Sequence, residues 1–309
     1  MAYNMAYRPG QASSPRRWIF LRVQLATCFG CAACRRGDLE TGRWLRRKLT
    51  RVRLLSWNVN GIRSAAKKGF VEWLAHDRPD VLALQETRID SESLTDELRR
   101  PLGYHAAWAF PVRKGYSGVA TLSQVAPFGT EHRLGQKRFD DEGRLMVTEF
   151  DRFILFNVYF PKGSGRLRDN SRVPFKLDFY DALFSQVRRV RAKRGKPAVV
   201  AGDFNTAHQN IDLKNWRTNQ DTSGFLPEER KKLQLYLERG FVDIYRELYP
   251  DRVQYSWWSQ RFGVREKNVG WRIDYVWVSE DLRPHVVDAF ILDQVRGSDH
   301  CPVGIELQW

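Results

Sequence analysis

Cysteine is scarce in this chain: there are four in 309 residues, and three of them, Cys28, Cys31 and Cys34, fall within the first 34 positions. That usage excludes a disulfide framework and suits a reducing compartment, so a cytoplasmic protein is expected. Thiolates three apart can converge on zinc or an iron–sulfur cluster, but no histidine stands near them as a fourth ligand, and they read as incidental. Long apolar runs are also missing. The stretch from Trp18 to Ala33 is interrupted by Arg22, Gln24 and Thr27, and nothing approaches the roughly 20 residues of a membrane span, so no membrane partner is expected. The same break at Arg22 argues against a secretory signal. No repeat or low-complexity tract is present. Acidic residues are outnumbered, 36 against 51 Lys and Arg, which leaves a net charge of +15. An excess of this size favours a polyanionic partner through phosphate neutralisation and counterion release, with a merely soluble basic surface as the competing reading. What the chain does have is 42% hydrophobic and 13% aromatic residues, enough apolar side chain to build a core and to exclude a largely disordered protein.

The charge is unevenly spread. Residues 1–50 carry ten Lys or Arg against Asp38 and Glu40, or +8 of the +15, leaving +7 for the rest. Periodic patterning begins only at Arg51. Residues 1–50 therefore read as a basic, poorly ordered extension and residues 51–309 as one domain. Methionine is absent between Met5 and Met146, which raises the expectation that the natural product starts near Val52 from a non-standard codon.

From Arg51 the run Val52, Leu54, Leu55, Trp57, Val59 predicts a buried strand ended by the turn signal Asn60-Gly61. Ser64 is placed to cap a helix reaching about His76, with Phe70, Val71, Trp73 and Leu74 as its apolar stripe and Pro79 beyond its end. A second strand follows at Asp80 to Leu84, and strand, helix, strand implies an α/β fold with a parallel component. Short strands near Tyr104 to Phe110, Gly118 to Ser123, Arg144 to Phe150 and Phe153 to Tyr159 follow closely enough to imply antiparallel pairing as well, so the sheets are mixed. An amphipathic helix from about Val173 to Lys193 turns Phe175, Phe179, Leu183, Val187 and Val190 inward and a row of arginines outward. A strand at Ala198 to Ala201, a helix after Pro227 and strands near Gln254 to Ser259, Arg272 to Ser279, Val286 to Leu292 and Pro302 to Gln308 complete the chain. Polar residues recur at strand ends: Asn58, Glu86, Tyr159, Asp203, Asn205, Asp274, Asp299 and His300. In a layered α/β fold such groups gather in a crevice.

Cleaving a phosphodiester requires an activated water, positive charge on the pentacoordinate phosphorus centre and help for the leaving oxygen. Carboxylates and amides supply hard oxygen donors for magnesium or manganese. Taken singly, each candidate reads two ways. Glu86 after Leu82-Ala83-Leu84-Gln85 is a metal ligand or a solvated loop start. Gly202-Asp203-Phe204-Asn205 is a pair of groups aimed at one crevice or a self-bonded turn, and Asp299-His300 is a site element or a surface loop.

Their conjunction is more specific. The segments Leu55-Ser56-Trp57-Asn58-Val59-Asn60-Gly61-Ile62-Arg63, Leu84-Gln85-Glu86-Thr87, Asn157-Val158-Tyr159-Phe160-Pro161, Gly202-Asp203-Phe204-Asn205, Asn268-Val269-Gly270-Trp271-Arg272-Ile273-Asp274-Tyr275 and Gly297-Ser298-Asp299-His300-Cys301-Pro302 occur in this order. Together they closely resemble the exonuclease III family of abasic-site endonucleases, over about Arg51 to Trp309. The resemblance implies a DNase I-like four-layer α/β sandwich, two packed mixed β-sheets flanked by helices. It implies a magnesium-dependent enzyme, with manganese as an alternative, that acts as a monomer on double-stranded DNA with abasic or 3′-blocked damage. Glu86 would be the principal metal ligand with Asn60 and Asp299 near the ion, and Asn58, Asp203 and Asn205 complete the candidate metal set. Asp203 would orient or deprotonate the attacking water, held by Asn58, while Asn205 positions water or phosphate. His300, paired with Asp274, would donate to a phosphate oxygen, and Tyr159 would bond the phosphate or assist the leaving group. Trp257 and Trp271 would wall a pocket for a flipped-out abasic sugar.

Two positions depart from the family pattern: Asn60 stands where some relatives have aspartate, and Arg88 where lysine is usual, which keeps the charge but changes the donor geometry. DNA contacts are expected from Lys162, Arg166 and Arg172, in a cationic glycine-containing loop directly after Tyr159, and from Asn215 and Asn219. Cleavage 5′ to an abasic site is the leading expectation, with some 3′-exonuclease or 3′-phosphodiesterase activity. An enzyme acting mainly at 3′ ends, or on RNA, is the nearest alternative, and a non-catalytic nucleic-acid-binding regulator on the same fold is a different class.

Overall fold

Alternation decides the first strand. Along Arg51–Asn58, Val52 and Leu54 share an apolar cluster with Val81, Ala83, Val199 and Ala201, while Leu55 and Trp57 share another with Phe70, Leu74 and Leu82. This is the two-residue period of a strand covered on both faces. The computed structural model describes residues 50–309 except Arg166, Arg168 and Phe262, all within one compact unit, Arg46–Trp309. The basic extension and the three clustered cysteines lie outside the described residues, and Cys301 is a buried free thiol.

Four strands come first, β1 (Arg51–Asn58), β2 (Val81–Gln85), β3 (His105–Ala109) and β4 (Val119–Ser123). They are followed by β5 (Gly129–Glu131), β6 (Leu145–Glu149), β7 (Ile154–Tyr159), β8 (Ala198–Asp203) and β9 (Phe241–Asp243). A two-stranded ribbon, β10 (Trp257–Trp258) with β11 (Gly270–Trp271), precedes β12 (Asp274–Ser279), β13 (Val286–Ile291) and β14 (Val303–Gln308). One six-stranded sheet has the order β13-β14-β1-β2-β4-β3 and the other β5-β6-β7-β8-β12-β9. Each holds one parallel pair at its centre, β1 with β2 and β7 with β8; the remaining neighbours run antiparallel.

The sheets pack face to face through the cluster that joins Leu54, Ala83, Leu155, Val199, Val278 and Ile305. Helix Phe70–Asp77 covers the outer face of the first sheet through Phe70 and Leu74. Helices Val173–Arg194 and Pro227–Leu237 cover the second through Phe179, Leu183, Val187 and Leu233. This is the four-layer sandwich that the resemblance implies. Two buried amides cross between the sheets beneath the strand ends. Gln85 Nε2 donates to Asn157 Oδ1 at 2.8 Å, and Asn157 Nδ2 donates to the Ala120 carbonyl at 2.8 Å, so both amide nitrogens are satisfied in the core, while Gln85 Oε1 is left without a hydrogen-bond partner.

The structure corrects one helix. Ser64 caps nothing: it lies inside a short helix, Ile62–Ala66, and a second helix starts at Phe70 after Gly69, whose φ of 93° interrupts the chain. The strand expected over Gln254 to Ser259 shrinks to the two residues of β10.

Candidate active site

Topology gathers the polar strand ends. In the parallel pairs Asn58 lies in register with Gln85, just before Glu86, and Tyr159 with Asp203. Antiparallel β12 enters beside β8 with Asp274 opposite Asp203, and the residues before β14 bridge to the ribbon through His300 and Trp257. Here Asn60, Glu86, Arg88 and Asn205 adopt left-handed backbone, with φ of 47°, 54°, 50° and 49°. Residues other than glycine do so seldom, at about 1–3 kcal/mol each. Four such residues at one edge mark it as a place where geometry is held against conformational preference.

Asn58 joins the two sheets at this edge. Its Nδ2 donates to Asp203 Oδ2 at 2.8 Å and to Glu86 Oε2 at 3.0 Å, while its Oδ1 accepts the Asn60 N–H at 2.9 Å. Asp203 is fully buried, and it also accepts the Asn205 N–H at 2.8 Å and Asn205 Nδ2 at 3.2 Å. Burial pushes the Asp203 carboxyl up to about 7; Asp274 adds to the rise and His300 opposes it. His300 Nδ1 lies 2.9 Å from Asp274 Oδ2, and its Nε2 lies 3.9 Å from Asp203 Oδ2. Burial alone would lower the imidazole, but Asp274 and Asp203 outweigh it and raise it to about 9. The ring is thus a cation at neutral pH, with Asp274 fixing its orientation.

Burial favours the neutral form of Glu86, yet Lys162, Arg88 and the Asn58 amide together hold its carboxyl below the ordinary glutamate value. Arg88 grips Glu86 Oε1 through Nε at 3.0 Å and through Nη2. Asp299 accepts Asn60 Nδ2 at 2.8 Å and Trp257 Nε1 at 3.2 Å. Burial opposes its charge, but His300 and these donors hold its carboxyl low as well. Burial keeps the Tyr159 hydroxyl protonated, with the Glu86 charge adding to the effect.

Two groupings could hold a cation. Ligand atoms of Asp203, Asp274 and His300 lie within 4.8 Å of one another, but Asp274 Oδ2 already accepts Ser256 Oγ at 2.6 Å and faces His300 Nδ1. Asp274 Oδ1 has no hydrogen-bond partner, but a protonated His300 cannot ligate, so that trio is better suited to moving protons. Glu86 and Asp299 are anionic oxygen donors, and buried Asn60 Oδ1 has no hydrogen-bond partner. These are the hard donors that magnesium or manganese takes, with waters filling the remaining positions.

Beside the carboxylates a cleft of about 190 Å³ is lined by Lys162, Ser164, Asn205, Gly224, Trp257 and Trp271. The two indoles meet edge to face with centroids 6.3 Å apart. Both tryptophans are half-buried, walls of a cleft rather than core. Lys162 is exposed at its mouth. Arg172 instead pairs with Glu142 at 3.1 Å and lies 3.3 Å from the Tyr116 hydroxyl. Asn215 is exposed, and its carbonyl accepts Asn219 Nδ2 at 2.8 Å. Arg166 lies outside the described residues.

Several groups that shape the site were not legible. Ser256 holds Asp274 and also accepts the Ile273 and Asp274 N–H groups, each at 3.1 Å, but nothing around it in the sequence signals this. Lys176, on the helix expected to turn a row of arginines outward, is fully buried and bonds the Asn205 carbonyl and Glu229 at 2.7 Å each. Its place on the apolar stripe, three residues from Val173 and from Phe179, was the available signal.

A four-layer sandwich carrying a buried carboxylate, an imidazolium–aspartate pair and hard oxygen donors at one sheet edge defines a phosphoester hydrolase. Residues 55–300 match the endonuclease/exonuclease/phosphatase family, and the chain belongs to it. It is 41% identical to an exodeoxyribonuclease of Bacillus subtilis over 254 residues, 82% of this chain and 98% of that one. It is 40% identical to the DNA repair nuclease APEX1 of Danio rerio over 260 residues, 83% of this chain and 82% of that one. Among solved structures, it superposes on the AP endonuclease LMAP of Leishmania major with a TM-score of 0.74 at 29% identity, covering 86% of this chain and 92% of that one. A 3′-5′ exonuclease of Neisseria meningitidis superposes with a TM-score of 0.76 at 27% identity, over 83% of this chain and all of the other.

Proposed function

We propose that this chain is a magnesium-dependent DNA repair phosphodiesterase, a cytoplasmic monomer that incises duplex DNA 5′ to abasic sites and also acts at 3′ ends. The observation that carries the reading is buried Asp203, its carboxyl raised to about 7, held by Asn58 and Asn205 and facing the His300 cation beside a two-tryptophan cleft. A carboxylate with that affinity for protons is suited to take one from water near neutral pH. Asn58 and the Asn205 N–H fix its direction, so the water is presented from a single side.

His300 stays protonated under the same conditions, and its Nε2, 3.9 Å from Asp203 Oδ2, would donate to a non-bridging oxygen as charge develops there. Asp274 and Ser256 keep the ring in place. Tyr159, protonated and next to Glu86, is an O–H donor to the phosphate or to the departing oxygen. Lys162 at the cleft mouth attracts the adjoining phosphate. The cleft between Trp257 and Trp271 offers apolar faces to a sugar turned out of the duplex, which is least costly where the base is already missing. Magnesium, or manganese in its place, would be held by Glu86, Asp299 and Asn60 Oδ1 and would supply positive charge at the phosphate.

The test is incision of an end-labelled duplex carrying one tetrahydrofuran abasic analogue, with magnesium or with EDTA, by wild type and Asp203→Ala. Magnesium-dependent incision at the analogue that the variant loses, by about 10²-fold or more, is the expected result. Intact binding without incision would overturn the reading. It would favour an enzyme acting mainly at 3′ ends, which the likeness to the Neisseria exonuclease makes the second reading.

A further inference from the structure

A buried lysine seldom sits in an enzyme without a partner, because desolvation strongly disfavours an unpaired ammonium in a low-dielectric interior. Lys176 and Glu229 are both wholly buried and lie 2.7 Å apart, on the two helices that cover the second sheet. Neither belongs to the reacting groups described above. What distinguishes the pair is where its remaining bonds go. Lys176 Nζ donates to the carbonyl of Asn205 at 2.7 Å. Asn205 is one of the left-handed residues, and its own N–H holds Asp203. Glu229 accepts Ser223 Oγ at 3.1 Å, the Gly224 N–H at 2.5 Å and the Leu226 N–H at 3.2 Å.

Ser223 and Gly224 line the cleft with Trp271. A methyl group built on Gly224 would come within 3.1 Å of the Asn205 carbonyl and 3.3 Å of the Trp271 ring. A methyl group on Gly163, next to Lys162, would meet Ser223 Oγ at 2.4 Å and Glu229 Oε1 at 3.1 Å. The Gly224 carbonyl in turn accepts the Ala207 N–H at 2.8 Å. One ion pair therefore bonds the backbone that aims the general base on one side and the cleft wall on the other.

We infer that Lys176 and Glu229 are positioning residues that couple the aim of Asp203 to the shape of the sugar cleft, and that this coupling sets the preference between abasic sites and ordinary 3′ ends. The inference rests on the proposed reaction. At an abasic site both the cleft and the base must be in place together. A 3′-terminal nucleotide that leaves the cleft empty requires only the base. Loosening the pair should then harm incision at abasic sites more than removal of 3′ nucleotides.

The experiment uses Lys176→Arg, Glu229→Gln and the double variant Lys176→Met/Glu229→Met in the full chain. The double variant removes both charges, so no unpaired charge is left to unfold it. Two readouts are taken. In the DNA-free protein, amide hydrogen exchange is followed at Asn205 and Gly224. Opening of both together in Glu229→Gln and in the double variant, with Lys176→Arg retaining most of the protection, is expected; opening of one without the other overturns the coupling. On substrate, kcat and KM are measured on the tetrahydrofuran duplex and on an undamaged recessed 3′ end. The expected result for the double variant is a fall of about tenfold or more in kcat/KM on the abasic duplex relative to the 3′ end, the size of losing one charged hydrogen bond. An equal fall on both substrates in a folded variant would reduce the pair to a structural role and overturn the inference. A wild type that incises no abasic duplex would refute the proposed reaction instead, and the exchange measurement would still decide whether the two loops move as one.

Discussion

At the scale of single residues, the site depends on groups that act through other groups. Asp274 touches His300 Nδ1 rather than the space where substrate would lie, yet it is foremost among the charges that keep the ring protonated. Asp274→Asn keeps the size and removes the charge. Its expected effect is a fall in kcat of about 10²-fold or more with DNA binding largely retained, since protonated-donor assistance contributes about 10²–10⁴-fold. Single-turnover incision beside equilibrium binding separates the two, and a variant with unaltered kcat would remove His300 from the chemistry. The residues gathered at the site's edge were legible because each sits in a short contiguous signature at a strand end: Asn58, Glu86, Tyr159, Asp203, Asp274 and His300. Their supports were not. Ser256, Lys176 and Glu229 reach the site from chain-distant positions, and contact at such distance leaves no local pattern. Arg88 shows the same limit, for its two-nitrogen grip on Glu86 depends on a left-handed backbone that the sequence does not advertise.

At the scale of elements, the parallel pair β7–β8 carries Tyr159 and Asp203 to the same edge, and its close approach depends on Gly202. That residue has a φ of 152°, and a Cβ there would lie 1.8 Å from the Val158 carbonyl oxygen. The obstacle is backbone rather than a flexible side chain, so Gly202→Ala must part the strands next to the site. Destabilisation of about 3 kcal/mol or more is expected, read as a shift in the urea midpoint; a variant within about 1 kcal/mol of wild type would mean that the strands separate without penalty. The strands that carry apolar residues on both faces, β1, β2, β7, β8 and β12, were legible from that pattern. Strand β5 was not, since its three residues are all exposed, and the two-residue strands β10 and β11 lie below any readable period. The helix after β1 misled because the apolar stripe runs on past Gly69, where the backbone does not.

At the scale of the whole molecule, a buried charge network fastens the segments that carry the site to the second sheet. Asp212 accepts Arg272 Nε at 2.8 Å, Arg272 Nη2 at 3.0 Å and Arg246 Nη2 at 2.5 Å, and Arg272 also donates to Asp243 at 3.0 and 2.7 Å. This joins the turn Asn210–Asp212, β9, helix Ile244–Leu248 and the chain leading from Trp271 into Asp274. Removing one partner strands the others in the interior, so Asp212→Asn should lose about 3–5 kcal/mol at neutral pH. The loss should depend on pH. Burial would raise the Asp212 carboxyl, but Arg272 and Arg246 outweigh it and hold it below its ordinary value. A carboxyl depressed by folding contributes stability that is fully present above its unfolded value of about 3.9 and disappears as pH falls through the lower folded value. The variant has no such group to titrate. Urea unfolding of wild type and Asp212→Asn, compared between about pH 7 and about pH 3, should therefore show a wide gap that narrows once pH drops below about 4. A gap that stays constant over that range would mean that the arginines hold Asp212 in place by shape and hydrogen bonding without stabilising its charge.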